Sequence, residues 1–145
     1  KTWALGLKVF IPPGVEFTNN WHSLVQCPQA NVLNPPFSLS LVAPGKFALV
    51  SRSDEDSYKV IQGGDFPKGR WVDLELEFRM GGAGHVKMWL DGKVVADKDA
   101  ILRYKGGGNR CNLKVGVYRG KAATPYEMRI DDVRFGTTRE AVRKN

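Results

Sequence analysis

A lysine, a glycine and a tyrosine alternate at Lys114, Gly116 and Tyr118, among Leu113, Val115 and Val117. Successive side chains of an extended strand point to opposite faces, so this spacing sets an ammonium and a phenol on one face with room between them. A phenol can give or take a proton, and an ammonium can neutralise a neighbouring anion. The same alternation also suits an ordinary half-exposed strand, where tyrosine is favoured anyway. Gln26 offers an amide on a second short strand, Trp21 to Gln26. There alternation puts His22, Leu24 and Gln26 on one face and Trp21, Ser23 and Val25 on the other. His22 is the spare candidate base. Four residues of ideal strand hold it about 13 Å from Gln26, too far for a shared dyad. Arg119 and Lys8 are further cations for an anionic ligand.

These residues need strands to position them, and the chain is patterned for strands. Trp3 to Ile11 alternates cleanly and ends at Pro12-Pro13-Gly14. Phe37 to Val42 and Phe47 to Arg52 read as a hairpin turned by Pro44-Gly45. A polar stretch, Ser53 to Tyr58, and turns at Gly63-Gly64 and Pro67-Lys68-Gly69 lead to Trp71–Arg79. In that strand Val72, Leu74, Leu76 and Phe78 face inward against Asp73, Glu75, Glu77 and Arg79. Gly81 to Gly84 reads as a turn before His85 to Leu90, and Asp91-Gly92 is a strong hairpin signal into Lys93-Val94-Val95. Asn112 to Tyr118 and Glu127 to Phe135 complete about nine strands, and Thr137 or Thr138 can cap a closing helical turn over 137–144. Short strands with almost no helix define an all-β antiparallel sandwich, and 145 residues suffice for one such domain.

A formal net charge of +7 favours polyanionic partners. The basic residues are dispersed over many strands rather than gathered into a stripe, which argues against nucleic acid. No apolar run reaches the length of a membrane helix. Cys27 and Cys111 lack CxxC spacing, so neither a zinc site nor a redox pair is supported. One long-range disulfide and two free buried thiols both remain open. Asp131-Asp132 supplies too few ligands for calcium, and no metal or cofactor is expected.

Several strands together resemble the jelly-roll polysaccharide lyases, the group of alginate lyases, glucuronan lyase and heparin-lyase-like enzymes with concanavalin-like sandwiches. The resemblance runs over Trp3 to Pro12, Trp71-Val72-Asp73, Met88-Trp89-Leu90-Asp91-Gly92-Lys93 and Ile130 to Gly136. Asn112 to Tyr118 is similar to the alginate-lyase strand "Y-F-K-A-G-x-Y", which implies a catalytic role for Tyr118. Gln26 stands at the Gln of "Q-x-H", with Pro28 at the His position. The upstream "R-x-E" strand has no counterpart, and Lys1-Thr2-Trp3 runs straight into a strand without Met, so the chain is expected to be a piece of a longer protein.

The resemblance implies β-elimination on a uronate-containing polysaccharide. Gln26 would hydrogen-bond the sugar carboxylate, Lys114 or Arg119 would supply charge, and Tyr118 would move the proton. Trp21 could stack on a sugar, whereas Trp71 and Trp89 are expected in the core. The alternative is a non-catalytic glycan-binding module, or a structural or adhesion module of a virion or tail appendage assembled from several subunits. Either reading implies a secreted or virion-associated protein.

Overall fold

The computed structural model describes residues 1–17, 22–121 and 123–144; Trp21 lies outside the described residues. The strands are β1 (Thr2–Phe10), β2 (His22–Gln26), β3 (Phe37–Val42), β4 (Lys46–Ser51), β5 (Lys59–Asp65), β6 (Trp71–Arg79), β7 (Gly81–Leu90), β8 (Lys93–Leu102), β9 (Lys114–Arg119) and β10 (Arg129–Gly136). One short helix follows, α1 (Arg139–Val142). The strands form two five-stranded sheets, β10-β1-β6-β7-β8 and β5-β4-β3-β2-β9, and every described pairing is antiparallel. This is the β-sandwich the alternation predicts.

The inward sets of β1 and β6 are the ones read from the pattern. Leu5, Leu7 and Val9 of β1 and Val72, Leu74, Leu76 and Phe78 of β6 are buried against Phe37, Leu39, Leu41, Phe47 and Leu49 of the facing sheet. Phe37 and Phe78 meet across the layer with ring centroids 5.4 Å apart. Full burial of one such side chain contributes about 2 kcal/mol, which is why a one-residue slip of a core strand is excluded.

The structure corrects several expected boundaries. Gly63-Gly64 is not a turn but part of edge strand β5, paired with Phe47 and Ala48. A Cβ on Gly64 would approach Cε1 of Phe47 to 2.7 Å, so the glycine makes room for a core ring. Gly81 and Gly84 likewise belong to a strand, paired with Leu102 and Ala100 of β8. That strand runs on to Leu102, well past the predicted Val95. Asp91 and Gly92 do turn the β7–β8 hairpin, both at positive φ.

Glu75 sits on the outward side of β6 and is nevertheless 5% exposed. Its cover is α1. Thr138 caps that helix by accepting from the Ala141 N–H, Arg139 donates to both Glu75 oxygens at 3.1 and 3.3 Å, and Val142 is buried. The helix backbone lies directly on Gly6, where a Cβ would come within 2.5 Å of the Val142 carbonyl oxygen. On the other side of β1, edge strand β10 breaks register between Gly6 and Lys8, and Asp132 takes a φ of 54°.

Cys27 and Cys111 form a disulfide, resolving the two readings of the thiols. It joins residues 84 apart in sequence, and in the chain-entropy account a loop of that length is worth about 4 kcal/mol. The double variant Cys27→Ser/Cys111→Ser is expected to lose roughly that amount in denaturant unfolding, with a higher m-value because the unlinked denatured chain exposes more surface. A loss below about 1 kcal/mol would show that the link contributes little.

Candidate functional site

The outward face of the β5-β4-β3-β2-β9 sheet carries two adjoining grooves. One, of about 540 Å³, is lined by Ser23, Gln26, Lys114, Gly116, Val117 and Tyr118 of β2 and β9 and by residues 28–35 of the loop after β2. The other, of about 400 Å³, runs on over Ser38, Ser40 and Val42 of β3 to Arg52 and Tyr58. Ser23, Gln26, Leu33, Pro35 and Tyr118 line both and so stand at their junction. No acidic residue is among the lining residues of either groove, whereas Lys114 and Arg52 are.

Two irregularities of pairing assemble this junction. Ser23 pairs with Tyr118 on one side and Ser40 on the other; Gln26 pairs with Lys114 and Ser38. Between these pairs the register of β2 shifts against both neighbours. Opposite Leu24 lie Gly116 and Val117, and Gly116 adopts a φ of 147° that L side chains rarely take. The bulge brings Ser23 onto the face of Gln26 and leaves Leu24 and Val25 both in the core. It also exposes Val117, which strict alternation would have turned inward beside Val115.

His22 therefore does not share the face of Gln26, contrary to the expectation from alternation. It is 1% exposed, its ring stands edge-on to Tyr126 at 4.1 Å, and among the described residues neither ring nitrogen has a hydrogen-bond partner. Burial, and secondarily the Arg119 charge, lower its pKa to about 4. Arg119 pairs with His22 and lies over the Tyr126 ring at 5.7 Å, so it too turns away from the grooves. Lys8 is farther still, on the outward face of the other sheet, 3.8 Å from Asp73. Of the expected residues, the structure brings together Gln26, Lys114 and Tyr118 and separates His22, Arg119 and Lys8 from them.

The remaining described histidine, His85, is on β7 of the opposite sheet, held by Asp99 at 2.6 Å and Asp97 at 2.7 Å, which raise its pKa. At the groove junction itself the titratable side chain is that of Tyr118, a residue 58% exposed. The expected burial of Trp71 is corrected as well. It shares the parity of Asp73 and Glu75, is 44% exposed and tilts against Phe10 on the outward face of the first sheet. Trp89 is buried beneath the Arg139 guanidinium, 4.4 Å away.

The sequence reading missed Ser38, Ser40, Arg52 and Tyr58. A signal was present: in Phe37-Ser38-Leu39-Ser40-Leu41 a hydroxyl recurs at every second position of an otherwise apolar strand, which marks a polar face. Arg52 lies over the Tyr58 ring at 4.8 Å and donates to the Ser57 carbonyl. The wall formed by the 28–36 loop is tied down by Glu55, which accepts from the Leu33 N–H at 2.7 Å, the Asn34 amide at 3.2 Å and the Tyr104 hydroxyl at 3.1 Å. The Leu33 bond, with help from the other two, holds the Glu55 carboxyl below the ordinary range. Burial raises the Tyr104 pKa to about 12, keeping it the donor. Among the described residues no cluster of three or more His, Cys, Asp or Glu is arranged to hold a metal.

The chain is thus an antiparallel sandwich with a trough across one outer face, among whose described lining residues are Lys114 and Arg52 and no carboxylate. A family model described as polysaccharide lyase matches residues 1–134. The chain belongs to that polysaccharide lyase family. Among solved structures it is similar to endo-β-1,4-glucuronan lyase from the fungus Trichoderma reesei, with TM-score 0.74 and 17% identity over 98% of this chain and 71% of that one. It is also similar to the structure of botulinum neurotoxin type C that reports cell entry through two ganglioside molecules, with TM-score 0.63 and 12% identity over 93% of this chain. The receptor-binding domain of the neurotoxin C/D mosaic serotype matches with TM-score 0.65 and 10% identity over 97% of this chain. The chain spans only about a third of those neurotoxin chains, 32% and 34%. These likenesses show the fold. No curated protein matches significantly.

The buried His22 makes stability depend on pH. Its folded pKa of about 4 is below the unfolded value near 6.5, so the unfolded chain takes up a proton first as pH falls. The contribution is complete above pH ~6.5 and is lost toward pH ~4, by about 3 kcal/mol in all. His22→Met is expected to flatten that part of the unfolding free energy measured against pH. An unchanged slope would show that the ring is not the group responsible.

Proposed function

We propose that the trough binds a uronate-containing polysaccharide and cleaves it by β-elimination at the Gln26–Lys114–Tyr118 junction. The observation that carries this reading is the convergence of an amide, an ammonium and a phenol from β2 and β9 in a trough with no acidic lining. The sugar C5 proton becomes acidic only when the attached carboxylate is neutralised, which Gln26 and Lys114 do by hydrogen bonding and charge. Tyr118, acting as its phenolate, is the base that removes this proton and becomes the neutral phenol. The electron pair left on C5 forms the C4–C5 double bond, the C4–O bond breaks, and the departing oxygen collects a proton, which the same phenol can return. Arg52 and Tyr58 hold the next part of the chain, the guanidinium on a carboxylate and the ring against a sugar face.

The second reading is a glycan-binding or adhesion module on the same sandwich, alone or within a multi-subunit assembly. It is favoured by Pro28 at the motif's His position and by the burial of His22 away from the trough. The neurotoxin likeness is compatible with it, since that structure is described by its ganglioside interaction. A secreted or virion-associated location suits both readings, and the disulfide is consistent with an oxidising compartment.

Incubation with glucuronan, alginate and heparin, followed by ultraviolet absorbance of the unsaturated product, separates the two readings. Tyr118→Phe is expected to lower the rate by about 10²-fold or more while binding is retained. Folded wild-type protein that binds these polymers and generates no unsaturated product would leave the binding module.

A further inference from the structure

A third cleft, of about 690 Å³, lies beyond the 28–30 segment from the central trough, lined by Lys1, Trp3, Pro28, Gln29, Ala30 and residues 109–112. Pro28, Gln29, Ala30 and Asn112 line both it and the first groove, so the two are separated only by a ridge. We infer that this cleft is a second binding site for the same acidic chain, with Arg110 and Lys1 receiving a carboxylate and Trp3 the adjoining sugar face. The inference rests on the uronate-binding reading of the trough.

Three observations support it. The ridge is a fixed element. Gln29 donates to the Gly108 and Arg110 carbonyls at 2.7 and 3.0 Å and accepts from the Tyr104 N–H at 3.2 Å. The Asn112 N–H donates to the Pro28 carbonyl at 2.9 Å, and the Cys27–Cys111 disulfide ties the base of the ridge. Both clefts are therefore held in a constant relation, which is what two sites on one polymer require. Next, the lining continues the chemistry of the trough. Arg110 and Lys1 are exposed cations, Asn109 and Asn112 are exposed amides, and no lining residue is acidic. Finally, an aromatic surface is present. Trp3 stacks on Phe135 at 5.4 Å with an 18° interplanar angle, and the Lys1 ammonium lies 4.4 Å from the Trp3 centroid. Phe135 takes one face of the ring and the Lys1 ammonium covers the other, so a uronate reaches Trp3 as its carboxylate draws the exposed Lys1 side chain off the ring and the sugar replaces it there.

A second site held at a fixed distance raises apparent affinity only for chains long enough to reach both. The test is calorimetric binding of long-chain glucuronan and of a glucuronan trisaccharide to protein with a wild-type cleft, to Arg110→Gln and to Trp3→Ala, all carrying Tyr118→Phe so that the polymer stays intact, with melting curves to verify folding. Protein with the wild-type cleft is expected to bind the polymer more tightly than the trisaccharide. Each variant is expected to lose about 5- to 10-fold on the polymer and nothing on the trisaccharide. Arg110 is exposed, so its variant keeps the test decisive if Trp3→Ala unfolds. Equal polymer affinity with the wild-type cleft and with Arg110→Gln overturns the second site and leaves the trough intact. Equal losses on both ligands also overturn it, because the effect would then lie in the trough. Absence of binding to either probe by protein with the wild-type cleft removes the trough reading and the inference with it.

Discussion

Burial of the two inward faces against each other is the constraint from which the rest of this molecule follows. Once Leu5, Leu7, Val9, Leu74, Leu76 and Phe78 are committed to Phe37, Leu39, Leu41 and Phe47, every alternate residue must face outward. The two outer faces then diverge. One is roofed by α1, with Arg139 satisfying the Glu75 carboxylate beneath it. The other stays open, and its outward positions are hydroxyls, amides, cations and phenols with no carboxylate among the trough's lining residues.

Regular pairing alone would not have assembled the junction. A strictly alternating β2 puts Gln26 beside His22 and turns Ser23 inward; the register shift sets Ser23 at the floor of both grooves and hands His22 to the core. Buried between Tyr126 and Arg119, the imidazole pays its desolvation by staying neutral. Close by, Glu55 and Gln29 convert a proline-rich loop, which has few backbone donors of its own, into a standing wall by supplying side-chain partners to the segments it meets.

The architecture was legible because core alternation is enforced by burial: β3 and β6 match their predicted spans, and the Asp91-Gly92 hairpin and the Thr138 cap are where their chemistry demands. Gly63-Gly64 and Gly81-Gly84 were misread because glycine signals a turn and an open space for a neighbour with the same letter. That Lys114, Gln26 and Tyr118 line one groove was legible from motif and spacing; their roles remain a proposal. His22, Arg119 and Lys8 were not, since a bulge is invisible to a period of two and the assignment of a strand face to one layer or the other depends on topology. Trp71 shows the opposite failure: its parity declared it outward, but the core-like neighbours of its strand argued for burial.

The irregular edge of β10 bears on how the molecule behaves in a crowd. An outermost strand presents free backbone donors and acceptors on which a neighbouring chain can continue the sheet. Here the left-handed Asp132 and the register break against Gly6 and Lys8 interrupt that row midway, and Arg129, Asp131, Asp132 and Arg134 place charge along it. With Val133 and Phe135 more than half exposed on the same strand, an unbroken edge would invite stacking of molecule on molecule. The break thus shortens the pairing template along this margin, where the strand also displays apolar side chains.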